Sequence, residues 1–195
     1  MSCLCFELQK ELEPALRSGD TARCEREITD RLSTLPESPF HLAIPLRIHN
    51  PPEEIALHFD GFIREQTARL DVQAVYAEMN GFEINPDRWY YDVFAYEEYG
   101  GHQEYDWLAN WQSAPYPAVT IRGLEPLQEV YATVGYQKSF SDAFYVAGLL
   151  VVVRFQDLIR RSVRLMTELR SPVLATAHDY DFIFEGRPSG RTSVR

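Results

Sequence analysis

Apolar residues recur every three or four positions at the start of the chain. Cys5, Leu8, Leu12 and Leu16 share one face, which predicts a helix over residues 3–17. Pro14 falls inside it, and a proline there lacks the amide donor and predicts a kink or break. A second helix is predicted from an Asp20 cap to about Leu35, with Cys24, Ile28, Leu32 and Leu35 on its buried face. Pro36 and Pro39 end it. Residues 40–49 (FHLAIPLRIH) read as extended, and Pro45 pushes them toward an edge strand or a loop. A third helix starts where Asn50 can cap, Pro51 takes the first helical position and Glu53 completes a box-like spacing. Its stripe is Ile55, Phe59, Phe62, Ile63, Gln66 and Leu70. His58 sits on the flank of that stripe, as a half-buried structural histidine would.

From Val72 the period changes to two. Residues 72–79 alternate, Asn80-Gly81 offers a type I′ turn, and residues 82–85 begin a return strand. Asn85-Pro86-Asp87 interrupts the pattern. Residues 88–99 (RWYYDVFAYEEY) then form the clearest strand, Gly100-Gly101 turns the chain, residues 102–111 run back unless Asp106, Trp107, Leu108 and Trp111 start a helical turn instead, and residues 118–122 add a short strand. Residues 125–134 and 141–169 read as helical. The second is apolar all round in its first half, so a strand through 149–155 competes there, and Arg154, Asp157, Arg161, Arg164 and Glu168 mark its polar side. Residues 178–184 make a final strand. The expected fold is α+β, with N-terminal helices, a central antiparallel β-meander and a long C-terminal helix packed on one sheet face. Residues 1–185 form a single domain on this reading, and residues 186–195 a mobile basic tail.

Charge changes this picture more than composition does. The 195 residues carry 29 acids and 19 bases, net -10. Residues 51–110 alone carry 13 acids and 3 bases, whereas residues 151–195 carry 5 acids and 8 bases. The acidic segment overlaps an aromatic one, since 12 of the 25 Phe, Tyr and Trp lie between Tyr76 and Tyr116. A chain of this sign lacks the cationic footprint of a general nucleic-acid binder. Its longest apolar run, residues 143–153, is too short to span a bilayer, so no membrane partner is expected. No secretory leader is visible, and three cysteines (Cys3, Cys5, Cys24) form no disulfide or zinc pattern. Reduced thiols and a cytoplasmic location follow, with Cys24 as a buried packing residue.

The candidate chemistry is concentrated in the second hairpin. With Gly100-Gly101 as its loop, Tyr96 faces Tyr105 and Phe94 faces Trp107, while Glu97 lies opposite Glu104. Opposed carboxylates repel, so the arrangement calls for a cation, a basic partner or a raised carboxylate pKa. The bland alternatives are a longer loop with a shifted register and aromatics that are simply core. His102, Glu104 and Asp106 alternate along the predicted strand and are weak candidates for metal ligands. His178 and Asp179, adjacent on a strand, would point to opposite faces.

No phosphate loop, dinucleotide fingerprint, zincin motif or nucleophile elbow occurs in the sequence. The leading expectation is therefore a non-enzymatic binding protein without a cofactor. Glu97, Glu98, Tyr99, Glu104, Asp106 and Trp107 would engage a cationic protein partner, as an immunity-type inhibitor engages a basic toxin. A small hydrolase or metal-dependent enzyme using the His102, Glu104 and Asp106 cluster is the alternative. The third is a self-associating structural protein, a homodimer among its forms, in which the basic tail of one copy meets the acidic middle of another.

Overall fold

A period of two builds the middle of the sheet and helical stripes build its cover. The computed structural model describes residues 2–188. Strands β1 (Ala74–Asn80) and β2 (Tyr90–Tyr96) pair antiparallel, and β3 (Val119–Thr120) adds to the outer edge of β2. On the other side β1 pairs in parallel with β4 (Val173–Ala177), which pairs antiparallel with β5 (Phe184–Gly186). The order is β3-β2-β1-β4-β5, a mixed sheet rather than an antiparallel meander. Five α-helices accompany it among the described residues: α1 (Cys3–Arg17), α2 (Thr21–Ser33), α3 (Pro52–Thr67), α4 (Glu125–Thr133) and α5 (Ser141–Val163). The α+β class, with a long C-terminal helix against the sheet, is thus the observed one.

Alternation gives the sheet two faces. Val75, Ala77, Met79, Tyr91, Val93, Ala95 and Ala175 join the main core, with α5 across them. The opposite face carries Ala74, Tyr76, Tyr96 and Leu174 in a separate, smaller cluster. Helix α5 also packs against α1, α2 and α3, so its first half is buried on every side. That explains the all-round apolar pattern of residues 143–153 and decides for helix over strand there.

Several elements depart from expectation, each for a local reason. Helix α1 continues through Pro14 to Arg17, because Pro14 and Lys10 both lie on the exposed side, where solvent meets the freed carbonyl. Residues 39–43 form a 3-10 turn, not an extended segment: Ser38 and His41 make a capping box around Pro39. Asn50 does not cap α3. Its amide donates to the Thr120 carbonyl (3.0 Å) and accepts from the Arg122 amide (2.8 Å), tying β3 to the helix start. Pro51 is left as a cap without a side-chain bond, with Glu53 and Glu54 favouring the helix dipole.

Helix α5 stops six residues before the expected end at Leu169. The buried Asp60 of α3 accepts from the amides of Thr167 and Glu168 (2.9 Å each) and from the Thr167 hydroxyl (2.7 Å), which captures the chain outside the helix. Arg154 is not on a solvated face either. It is 4% exposed, reaches Glu25 (2.9 Å) and donates to the carbonyls of Ala43 and Ile44, anchoring the 3-10 turn. Residues 178–183 precede the last strand rather than belonging to it, and Gly186, assigned to the tail from sequence, pairs with Val173. Positions 189–195 of the expected tail lie outside the described residues.

Candidate functional site

The expected second hairpin does not form. After Tyr96 the chain leaves the sheet, and residues 97–112 cross its second face as a loop with one 3-10 turn at Asp106–Ala109. Glu97 is therefore not paired with Glu104, nor Tyr96 with Tyr105, nor Phe94 with Trp107. The aromatic side chains that suggested a strand do pack on the sheet, but from above it. Trp107 stands edge-on to Tyr96 (4.9 Å between centroids) and to Tyr99 (5.7 Å), and Trp111 packs on Phe94 (5.0 Å). The first hairpin is longer than Asn80-Gly81 allows. Residues 82–85 form a turn, with Phe82 at φ 58°, and the return strand starts at Tyr90.

Hydrogen bonds pin the loop backbone. The Trp107 indole donates to the Gly101 carbonyl (3.1 Å), and the Tyr96 hydroxyl donates to the Leu108 carbonyl (2.8 Å). Gly100 is required by the close approach of Trp107, since a Cβ there would lie 2.3 Å from the indole. The Tyr99 hydroxyl donates to Glu185 (2.6 Å) beneath the Arg187 guanidinium; burial and that bond push its pKa up to about 12. At the far end the chain returns along the edge of β2. The Gln112 amide donates to the Ala95 carbonyl (3.1 Å), its side chain accepts from the Glu97 amide (3.0 Å), and the Ser113 hydroxyl accepts from the Ala95 amide (3.0 Å).

This scaffold turns aromatic rings inward and carboxylates outward. Glu97, Glu98, Glu104 and Asp106 are all exposed, and none has an ion-pair partner among the described residues. Between loop and strand end lies a half-open cavity of about 240 Å³, bordered by Glu97, Glu98, Gly100 and the rings of Tyr96 and Trp107. Tyr99 and Trp107 are half-buried supports. His102, Glu104 and Asp106 lie on the loop, not on a strand, so alternation does not align them. Among the described residues no three His, Cys, Asp or Glu side chains are placed to hold a metal ion.

Opposed carboxylates do occur, one strand pair earlier than expected. Glu78 of β1 is the cross-strand partner of Asp92 of β2 on the second face. Burial raises the Asp92 carboxyl above its ordinary value, and the Asn80 amide donates to it (3.1 Å). Glu78 accepts from His178 Nδ1 (3.0 Å), and His178 Nε2 lies 3.7 Å from Asp179. The expectation that His178 and Asp179 point to opposite faces fails because both follow the end of β4. Asp179 takes φ 64°, and the turn brings the two side chains together. The unrecognised strand was the obstacle. Residues 173–177 (VLATA) are a short apolar run after Ser171-Pro172, and that run was the available signal.

His58 is a structural bridge as expected. Its Nε2 donates to the Pro117 carbonyl (2.8 Å), its Nδ1 accepts from the Tyr91 hydroxyl (3.2 Å), and burial lowers its pKa. Cys5 and Cys24 are fully buried free thiols, each pushed up to about 11 by burial. Among the described residues no helix is long and apolar enough to cross a membrane. The chain matches no protein-family model, no curated protein and no solved structure.

Proposed function

We propose that the protein is a non-enzymatic cytoplasmic binding protein and that the 97–112 loop docks a basic protein partner. One observation carries the reading: four exposed carboxylates without cationic partners among the described residues, on a backbone held in place by Tyr96, Tyr99 and Trp107. A carboxylate-rich surface on a preorganised loop, with Arg17 at the His102 carbonyl and Arg187 over Tyr99 on its border, steers a cationic partner and costs little ordering on binding. The cavity of about 240 Å³ beside Glu97 and Glu98 is the place for one arginine or lysine side chain, its charge against the carboxylates and its stem on Trp107. Inhibition of a cationic toxin is a concrete form of this activity.

The test is co-purification from the native host at low salt, in parallel with the E97Q/E98Q/E104Q/D106N variant. The expected result is a basic protein that is released by salt and not retained by the variant. Equal retention by the variant, or recovery of no basic protein at low salt, overturns the reading. Sedimentation of the isolated protein at two salt concentrations separates it from self-association, which requires a salt-sensitive oligomer.

A further inference from the structure

A second cavity lies at the other end of the sheet, and the topology explains why it is there. β1 and β4 are parallel neighbours, but β1 hands the chain to β2 on one side and β4 hands it to β5 on the other. The loops leaving their carboxyl ends therefore diverge. Crevices of this kind, outside the carboxyl ends of parallel strands where the connections part, are the usual ligand sites of open α/β sheets. Here the crevice is a half-open cavity of about 220 Å³ between the 82–84 turn, the 178–180 turn, α4 and the first turn of α5.

Its walls are aromatic. Phe82, Tyr131, Phe144, Tyr145 and Tyr180 line it, and consecutive rings are inclined by 44° to 83° with centroids 4.8–5.9 Å apart. Rings set at such angles pack edge to face rather than stacking; Tyr131 and Phe144 are buried behind the wall, and the half-exposed Phe82, Tyr145 and Tyr180 border the opening. The turn residues that place two of its lining groups, Phe82 (φ 58°) and Asp179 (φ 64°), are the non-glycine residues in the left-handed region among those described. Strain of this kind persists only where the surroundings impose it. Gly148 of α5 lets the Tyr180 hydroxyl sit 2.4 Å from where a Cβ would stand, so the floor is built by close approach.

The rim carries charge of one sign. Glu83 and Asp179 are exposed at the mouth, and no lysine or arginine among the described residues lines it. One Glu83 oxygen accepts from the Tyr136 amide (2.6 Å), and His178 is bonded to Glu78. Size narrows the occupant. A cavity of about 150 Å³ admits benzene, so one of about 220 Å³ takes a group modestly larger. An opening of that size bordered by three half-exposed rings, with carboxylates at its mouth, suits a compact, weakly hydrated cation.

We propose that this crevice binds an alkylammonium head group, a quaternary or methylated amine. It is separate from the acidic loop and does not depend on the reading of that loop. The head group reaches the crevice either as a free small molecule or on a methylated lysine of a peptide.

The experiment is a titration with choline chloride at constant ionic strength, followed by calorimetry and by aromatic proton shifts. The neutral isostere 3,3-dimethylbutan-1-ol and a trimethyl-lysine peptide are titrated beside it. Choline is expected to shift the Phe82 and Tyr180 resonances, with the neutral isostere about tenfold weaker. E83Q/D179N should remove most of that difference. Asn tolerates the left-handed φ at 179 and Gln keeps the acceptor for Tyr136, so the variant retains the fold. The E97Q/E98Q/E104Q/D106N variant should bind choline as the parent does. Saturation by the peptide but not by choline assigns the peptide-borne source. Equal binding of the isostere, an unchanged affinity in E83Q/D179N, or no shift with either cation up to about 10 mM overturns the proposal.

Discussion

On one face of the sheet, Val75, Ala77 and Met79 lie under α5 and the helices around it. On the other, Tyr76 and Tyr96 are covered by a loop, held by Tyr99, Trp107 and a few hydrogen bonds. Both faces bury aromatic and aliphatic surface, but their covers differ in kind. The helical cover is continuous and brings its own backbone hydrogen bonds. The loop cover depends on individual anchors, and its polar side chains stay in water. A face of the first kind supplies global stability. A face of the second kind can open locally at lower cost and leaves its charges free to meet a partner.

Substitutions on each face test that contrast. The largest effect is expected on the helical side: Phe155→Ala removes a fully buried ring packed 5.5 Å from Tyr91 and should cost about 3–5 kcal/mol by denaturant titration. Trp107→Ala, on the loop side, should cost about 2 kcal/mol because the indole is only half-buried. It should also strip hydrogen-exchange protection from the Glu97 and Leu108 amides before the β1 amides are affected. A loss equal to that of Phe155→Ala would mean that the second face is core in its own right.

A smaller effect is expected from acid, at the bridge between α3 and β2. His58 accepts from Tyr91 through Nδ1 and donates to Pro117 through Nε2, and burial outweighs Glu54 in lowering its pKa below the usual 6.5. In the unfolded chain this histidine takes up a proton first, so its contribution is complete above pH 6.5 and is lost as pH falls from there toward the lower folded-state value. Denaturation midpoints at about pH 7.5 and pH 5.5 should differ more for the parent than for His58→Gln, and equal differences would count against it. The smallest effect belongs to the loop carboxylates. E97Q/E98Q/E104Q/D106N should change stability by less than about 0.5 kcal/mol. A larger loss would show that the acids support the loop rather than await a partner.

Much of this contrast was legible along the chain. The three- and four-residue spacing at Leu8, Leu12 and Leu16 and at Ile28 and Leu32 marks α1 and α2, and the Asp20 cap holds, accepting from the Arg23 amide (3.1 Å). The aromatic residues around Tyr96 and Trp107 do meet, and the acids around them do face solvent. The route was not legible. A strand that returns at the sheet edge sets Trp107 opposite Phe94, a loop that crosses the sheet face sets it on Tyr96, and residue types do not distinguish the two.

The sequence by itself determined where α1 to α4 lie, that β1 and β2 alternate, and where the acidic surplus falls, because these depend on neighbours a few positions apart. The tertiary structure decided the rest. Residues 173–177 become a strand only because β1 offers a parallel edge 98 residues earlier, which places His178 beside Glu78. Asn50 read as a cap and Arg154 as a charge on a polar helix face until distant backbone groups came within hydrogen-bonding range, as they also do at Asp60. A buried polar group takes its role from the unsatisfied donors and acceptors that folding brings to it, and local spacing cannot specify which those are.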